Sequence, residues 1–248
     1  MDNKREKIAA IIPAAGTGKR MAAGVNKIWL LLDGAPVLSH TLNVFQSSPL
    51  IDRIVLVVNQ TELSEFKWFL AARQEQDRIP VDLVVGGVER QDSVAQGLHF
   101  LNDYLTDNNA YGLVVVHDAA RALLTPELLA EVVEAGLEYR AVALGVPVKD
   151  TIKYVEPDGF VLETPERSRL WAVQTPQVFD FELLASAYQA AAGRRLRFTD
   201  DCSVVEYFEH PVKLIMGSYE NIKITTPEDL VMAEAILGRR KNADRTGV

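Results

Sequence analysis

Short apolar runs recur along the chain, each followed by a turn or polar loop and then by a stretch with helical periodicity. The runs predict strands at Ile8–Pro13, Ile54–Val58, Val81–Val85, Leu113–His117, Ala141–Val146, Ala172–Gln174 and Val212–Met216. Between them, Val37, Leu38, Thr41, Leu42 and Phe45 fit one face of a helix, as do Val94, Leu98, Leu101 and Leu105. Thr125-Pro126 and Thr226-Pro227-Glu228-Asp229 mark two further helix starts, a capping hydroxyl before a first-turn proline. Strand and helix in alternation predict an α/β fold: a mostly parallel, Rossmann-like sheet with helices on both faces.

One segment breaks the rhythm. From Lys149 to Arg169, Tyr154-Val155 and Phe160-Val161-Leu162 flank the turn Pro157-Asp158-Gly159, which predicts a β-arm projecting from the sheet. A lone two-stranded hairpin is marginal in water, so a partner subunit is a natural place for the arm to pack. A surface hairpin lying back on its own domain fits the pattern equally well. Residues 1–238 are expected to form a single domain, and 239–248 a polar tail that frays.

Composition narrows the setting. With 248 residues, 48% of them hydrophobic and 24% charged, the chain can build a sizeable core. Its net charge of −8 argues against nucleic acid and anionic membrane as partners, so a phosphate ligand has to be met by a local basic cluster. Cys202 is the single cysteine, which excludes an intrachain disulfide and a multi-cysteine metal site. The start, Met1 to Lys7, is charged, Ile8 to Ile12 is too short for a signal-peptide core, and no run approaches the roughly 18 apolar residues of a span. A cytoplasmic protein is expected.

Ile11-Ile12-Pro13-Ala14-Ala15-Gly16-Thr17-Gly18-Lys19-Arg20 runs from a strand into a loop of small residues ending in two cations. Small side chains let backbone N–H groups reach an anion, and the cations add charge, so Ala14, Ala15, Gly16, Thr17 and Gly18 suit a phosphate. A flexible loop with surface cations fits the same residues. Two familiar phosphate loops do not: Pro13 and Arg20 stand where the Walker pattern needs glycine and Ser or Thr, and Met21 where the dinucleotide pattern needs a small residue. Four more blocks follow. Gly86-Gly87-Val88-Glu89-Arg90-Gln91-Asp92-Ser93-Val94 is a strand end and glycine turn, open to close approach of a ligand, leading into a helix. Val116-His117-Asp118-Ala119-Ala120-Arg121 sets a carboxylate and a cation just past a buried strand, at the edge where open parallel sheets bind ligands. His117 reads as structural, because His40, His99 and His210 are scattered too widely for a metal cluster. The arm and its exit contain Asp150-Thr151, Arg167-Ser168-Arg169 and Leu170-Trp171-Ala172-Val173-Gln174-Thr175-Pro176-Gln177. Thr199-Asp200-Asp201-Cys202-Ser203 and Asn221-Ile222-Lys223-Ile224-Thr225 complete the set, Asp200 being placed to cap the following helix.

The first loop resembles the signature of nucleoside-triphosphate transferases, Ala-Ala-Gly-x-Gly-x-Arg-Met with a lysine six residues on, here Lys27. Taken in order, the five blocks resemble the 2-C-methyl-D-erythritol 4-phosphate cytidylyltransferases over Ile11 to about Leu237. The resemblance implies a nucleotidyltransferase sheet and transfer of CMP from CTP to methylerythritol phosphate, with magnesium carried mainly on the CTP phosphates near Asp118. It implies that Arg20 and Lys27 neutralise charge on the α-phosphate and departing pyrophosphate, as the chemistry of such an attack requires. Gly87 and Ser93 read the cytosine with Arg90 nearby, Asp118 lies at the ribose and metal-phosphate region, and Arg121, Thr151, Arg167, Thr199 and Lys223 meet the second substrate. A homodimer through the arm follows, Thr151 and Arg167 reaching a neighbouring subunit's site. Asn26, Ile28-Trp29 and Ala122 depart from the family pattern, which puts the order of the lysine turn in question. Two rival readings stay open: a ribitol-5-phosphate cytidylyltransferase and a nucleotide-binding regulator without catalysis. The Leu170-to-Gln177 run and Ala120 favour the methylerythritol substrate, and the retained Arg20, Lys27 and Lys223 favour an enzyme.

Overall fold

In the computed structural model, which describes residues 5–16, 26–73, 79–103 and 111–246, the first apolar run becomes β1 (Lys7–Pro13). A short hairpin, β2 (Leu31–Leu32) and β3 (Ala35–Pro36), leads to α1 (Val37–Ser47), β4 (Arg53–Val58), α2 (Leu63–Ala71) and β5 (Val81–Val85). Next come α3 (Arg90–Asp103), β6 (Tyr111–Val116), α4 (Pro126–Tyr139), β7 (Ala141–Pro147) and the arm strands β8 (Tyr154–Val155) and β9 (Val161–Glu163). The chain continues through β10 (Trp171–Asp180), α5 (Phe181–Gly193), α6 (Asp201–Tyr207), β11 (Lys213–Met216) and α7 (Pro227–Thr246).

Seven strands form one sheet in the order β11-β7-β10-β6-β1-β4-β5. Its central strands β1, β4 and β6 are almost wholly apolar because helices cover both faces. Side chains of β1 alternate: Ile8, Ala10 and Ile12 enter a core with Leu38, Leu42, Phe45 and Phe66, whereas Ala9 and Ile11 enter one with Val94, Leu98 and Phe181. Most pairs are parallel, as predicted, including β1 with β4 and with β6.

The exception is β10, expected as the three-residue run Ala172–Gln174. It spans ten residues and lies antiparallel between β6 and β7. Pro176 cannot donate a ladder hydrogen bond, and pairing with β7 shifts register between Val173 and Gln177. Of the intervening residues, Gln174 and Thr175 line the site described below. The arm forms as predicted, its turn closed by Glu156 N–H to Phe160 O (2.9 Å) with Gly159 at φ +90°. Of the expected polar tail 239–248, the described residues 239–246 continue α7. Arg239 and Arg240 pair with Glu220, Lys241 pairs with Asp33, and Arg240 also donates to the Leu123 carbonyl at 3.0 Å.

Candidate functional site

The chain builds β1, β4 and β5 outward in one direction, then returns to place β6 on the other side of β1. A parallel sheet opens a crevice beyond the carboxyl ends of its strands at such a reversal. Here the crevice lies between Ala14, following β1, and His117-Asp118, following β6. It contains a cleft of about 400 Å³ whose walls include Ala14, Ala15, Gly16, Lys27, Gly87 and Ser93. A second cavity of about 510 Å³ adjoins it and includes Arg121, Thr175, Gln177, Thr199 and Asp200. Arg90, Asp118 and Lys223 line both cavities, so they stand at the junction.

Asp118 is the hub of that junction. Its Oδ1 accepts from Arg90 Nε at 3.0 Å, its Oδ2 lies 2.8 Å from Lys223 Nζ, and Arg121 Nε approaches Oδ2 at 3.7 Å. Burial alone would push the Asp118 carboxyl up, but the Arg90, Lys223 and Arg121 charges outweigh it and hold it far below the usual carboxylate range. Arg90 reaches a second carboxylate, Asp201, at 2.8 Å, and Tyr188 donates to Asp201 from the other side at 2.5 Å. Arg121 anchors to the Asn221 carbonyl at 2.7 Å, two residues before Lys223.

His117, read as structural, is fully buried, with its ring nitrogens against Arg121 O and Thr175 Oγ1, both at 3.2 Å. Burial pushes its imidazole down to about 3, so it is neutral at physiological pH. Asp200 caps α6 as expected, accepting from Ser203 N–H at 3.0 Å.

At the glycine turn, neither Gly86 nor Gly87 has the left-handed φ found at Gly34 and Gly159. What demands glycine is close approach within the chain: a Cβ on Gly87 would lie 2.3 Å from Asp92 Cβ, and one on Gly86 would lie 2.6 Å from Ser93 Oγ. Ser93 is buried inside α3 and donates to Glu89 O at 3.2 Å.

Thus Ala14, Ala15, Gly16, Lys27, Gly87, Arg90, Ser93 and Asp118 converge on the first cleft, and Arg121, Thr199 and Lys223 on the second cavity. Thr17, Gly18 and Arg20 lie outside the described residues. Thr151 and Arg167 line neither cavity; both are exposed at the base of the arm, where Arg167 donates to Lys149 O at 3.0 Å. On the arm, Tyr154, Val155, Phe160, Val161 and Leu162 are exposed, Phe160 at 75%.

The residues not foreseen are those that join the loops. Asp118 N–H donates to Thr175 Oγ1 at 3.0 Å, and Asn221 Nδ2 donates to Thr175 O at 2.9 Å. Gln177 Nε2 donates to Asp200 Oδ2 at 2.9 Å, while its Oε1 accepts from Cys202 N–H at 3.1 Å. The irregular part of β10 therefore ties together three loops that face the junction. Asp201, the second acid on Arg90, follows the predicted cap Asp200 directly.

A family described as 2-C-methyl-D-erythritol 4-phosphate cytidylyltransferase (IspD) matches residues 8–239. The chain is 46% identical over 233 residues to the protein of that name from Desulforamulus reducens, covering 94% of this chain and 97% of the relative. It is also 46% identical over 228 residues to the one from Bacillus velezensis, covering 92% and 94%. Among solved structures, 4-diphosphocytidyl-2C-methyl-D-erythritol synthase from Anaerococcus prevotii superposes with a TM-score of 0.80 at 32% identity, covering 94% of this chain and 96% of that one.

Proposed function

Because the chain belongs to the 2-C-methyl-D-erythritol 4-phosphate cytidylyltransferase family, we propose that its two adjoining cavities hold the two substrates of that reaction. The enzyme transfers CMP from CTP to 2-C-methyl-D-erythritol 4-phosphate, releasing pyrophosphate and forming 4-diphosphocytidyl-2-C-methyl-D-erythritol. CTP occupies the first cleft, its base against Gly87 and Ser93 and its phosphates along residues 14–18. The polyol phosphate occupies the second cavity, met by Arg121, Thr199 and Lys223. The observation that carries this reading is the shared wall: Lys223 and Asp118 face both cavities, where one phosphate must approach another.

An attacking phosphate oxygen forms a bond to the α-phosphorus in line as the bond to pyrophosphate breaks. A phosphomonoester has a second pKa of about 6 and is already ionised at neutral pH, so no general base is required. Burial of His117 as a neutral ring agrees with that. Arg20 and Lys27 stabilise the charge that builds on the α-phosphate and on pyrophosphate. Lys223 positions the acceptor phosphate while Asp118 restrains the ammonium group at 2.8 Å.

Magnesium, where bound, neutralises phosphate charge. The described residues contain no group of three or more His, Cys, Asp or Glu able to hold a metal. Asp118 is a buried carboxylate at the junction whose oxygens are engaged by Arg90 and Lys223, so the ion would be held chiefly by phosphate oxygens near it. Thr151 and Arg167 serve a second copy of the chain, the apolar arm packing on that partner to form a homodimer. No helix among the described residues is long and apolar enough to cross a membrane.

Pyrophosphate release from CTP should depend on 2-C-methyl-D-erythritol 4-phosphate. Equal release with ribitol 5-phosphate, or none with either, would overturn the assignment.

A further inference from the structure

Lys27 lines the CTP cleft from a short 3-10 turn, Lys27–Trp29, and a lysine there is only as well aimed as the backbone that carries it. Two neighbours of Lys27 grip one carboxylate. Asn26 Nδ2 donates to Glu62 Oε2 at 3.0 Å, and Trp29 Nε1 donates to Glu62 Oε1 at 3.3 Å. Asn26 also accepts from Ile28 N–H at 3.4 Å and donates to Ala14 O at 3.4 Å, while Ile28 is buried in the core. The Trp29 ring packs on Phe66 and Phe69 of α2, with centroids 4.7 and 5.2 Å away. Glu62 ends the 3-10 turn Gln60–Glu62 that joins β4 to α2, and its carboxylate bridges both flanks of the lysine turn.

Resting on the role proposed above for Lys27, we infer that Glu62 is a positioning residue for Lys27, holding its backbone through Asn26 and Trp29. A carboxylate suits this task because each oxygen accepts one of two N–H donors. A glutamine would have one oxygen and an NH₂ group facing two donors, so it can satisfy only one of them. Asn26 and Trp29 thereby gain a common physical purpose.

The test is a double-mutant cycle on the full chain, with kcat and KM measured for CTP and the polyol phosphate in wild type, E62A, K27A and the double variant. Misplacement of a group at the reacting centre can cost up to about 100-fold, so E62A should lower kcat roughly 10- to 100-fold with little change in KM for the polyol phosphate. In the K27A background it should add almost nothing, because the group it positions is gone. E62Q should fall between wild type and E62A, and it runs the same cycle should E62A fold poorly. With Trp68 and Trp171 replaced by Phe, Trp29 is the only tryptophan left of three, and E62A should shift its emission. The clamp is overturned if K27A is impaired while E62A matches wild type, or if E62A lowers kcat by the same factor in both backgrounds. If K27A itself turns over like wild type, the role of the lysine fails and the clamp falls with it.

Discussion

Replacing Asp118 by Asn removes the charge at the centre of the junction while keeping the shape of the side chain. Removing one partner of a buried ion pair costs about 3–5 kcal/mol, because a charge is left without compensation. The lower side of that range applies here, for two reasons. Lys223 is 37% exposed and can be hydrated, and Arg90 keeps Asp201 at 2.8 Å. Arg121, only 12% exposed, is the group left worst off. We expect a loss of about 3 kcal/mol, which at a urea slope of about 2–3 kcal/mol/M shifts the unfolding midpoint down by about 1–1.5 M. The pH dependence carries a sign. Native Asp118 is held below its unfolded value of about 3.9, so its contribution is complete above that value and is lost as pH falls below it toward the native value. The midpoint gap between wild type and D118N should therefore hold from neutral pH to about pH 5 and narrow below about pH 4. A midpoint within error of wild type at pH 7, or a gap that does not narrow in acid, would show that Asp118 is not the charge that compensates the junction's cations.

Other consequences are independent of that hub. Gly87→Ala places a Cβ where Asp92 Cβ stands, 2.3 Å away, and should raise KM for CTP about tenfold or more by moving the turn, as steady-state kinetics will report. Protonation of His117, pushed down to about 3, favours the unfolded chain below pH 6.5, so urea titrations between about pH 6.5 and about pH 4.5 should show stability falling more steeply as pH drops in wild type than in His117→Asn. Burial pushes the Cys202 thiol up, with Asp200 and Asp201 adding to the effect, so a thiol reagent at pH 8 should label no cysteine in the native protein and one per chain in denaturant. Phe160→Glu on the arm should convert the proposed dimer to monomer in sedimentation equilibrium without lowering the unfolding midpoint of the monomer, because Phe160 is 75% exposed within its own chain.

Most of the sheet was legible because its strands are short continuous apolar runs, a pattern that two buried faces impose and that Ile8–Ile12 and Ile54–Val58 display plainly. The antiparallel strand was not, because Thr175-Pro176 interrupts its pattern just where pairing with β7 shifts register. Leu63–Ala71 and Phe181–Gly193 went unread as helices for a related reason: Trp68 is exposed amid the apolar residues of the first, and a run of alanines weakens the periodicity of the second. In the site, small residues, glycines and cations after strand ends marked both cavities. The residues that hold them in place did not announce themselves. Gln177, Thr175, Asp201 and Glu62 act through partners more than twenty residues away in sequence, and no local spacing encodes such pairings. The glycines at 86 and 87 suggest close approach of a ligand, whereas what approaches them in the structure is α3 of the same chain.

Lys27→Ala asks whether a cation at the first cleft stabilises charge developing on the α-phosphate. With CTP and 2-C-methyl-D-erythritol 4-phosphate both saturating, pyrophosphate release should fall by about 100-fold or more, as it does when a single oxyanion donor is removed, while CTP binding measured by calorimetry weakens far less. Turnover near the wild-type value, or a loss wholly accounted for by weaker CTP binding, would contradict that stabilisation.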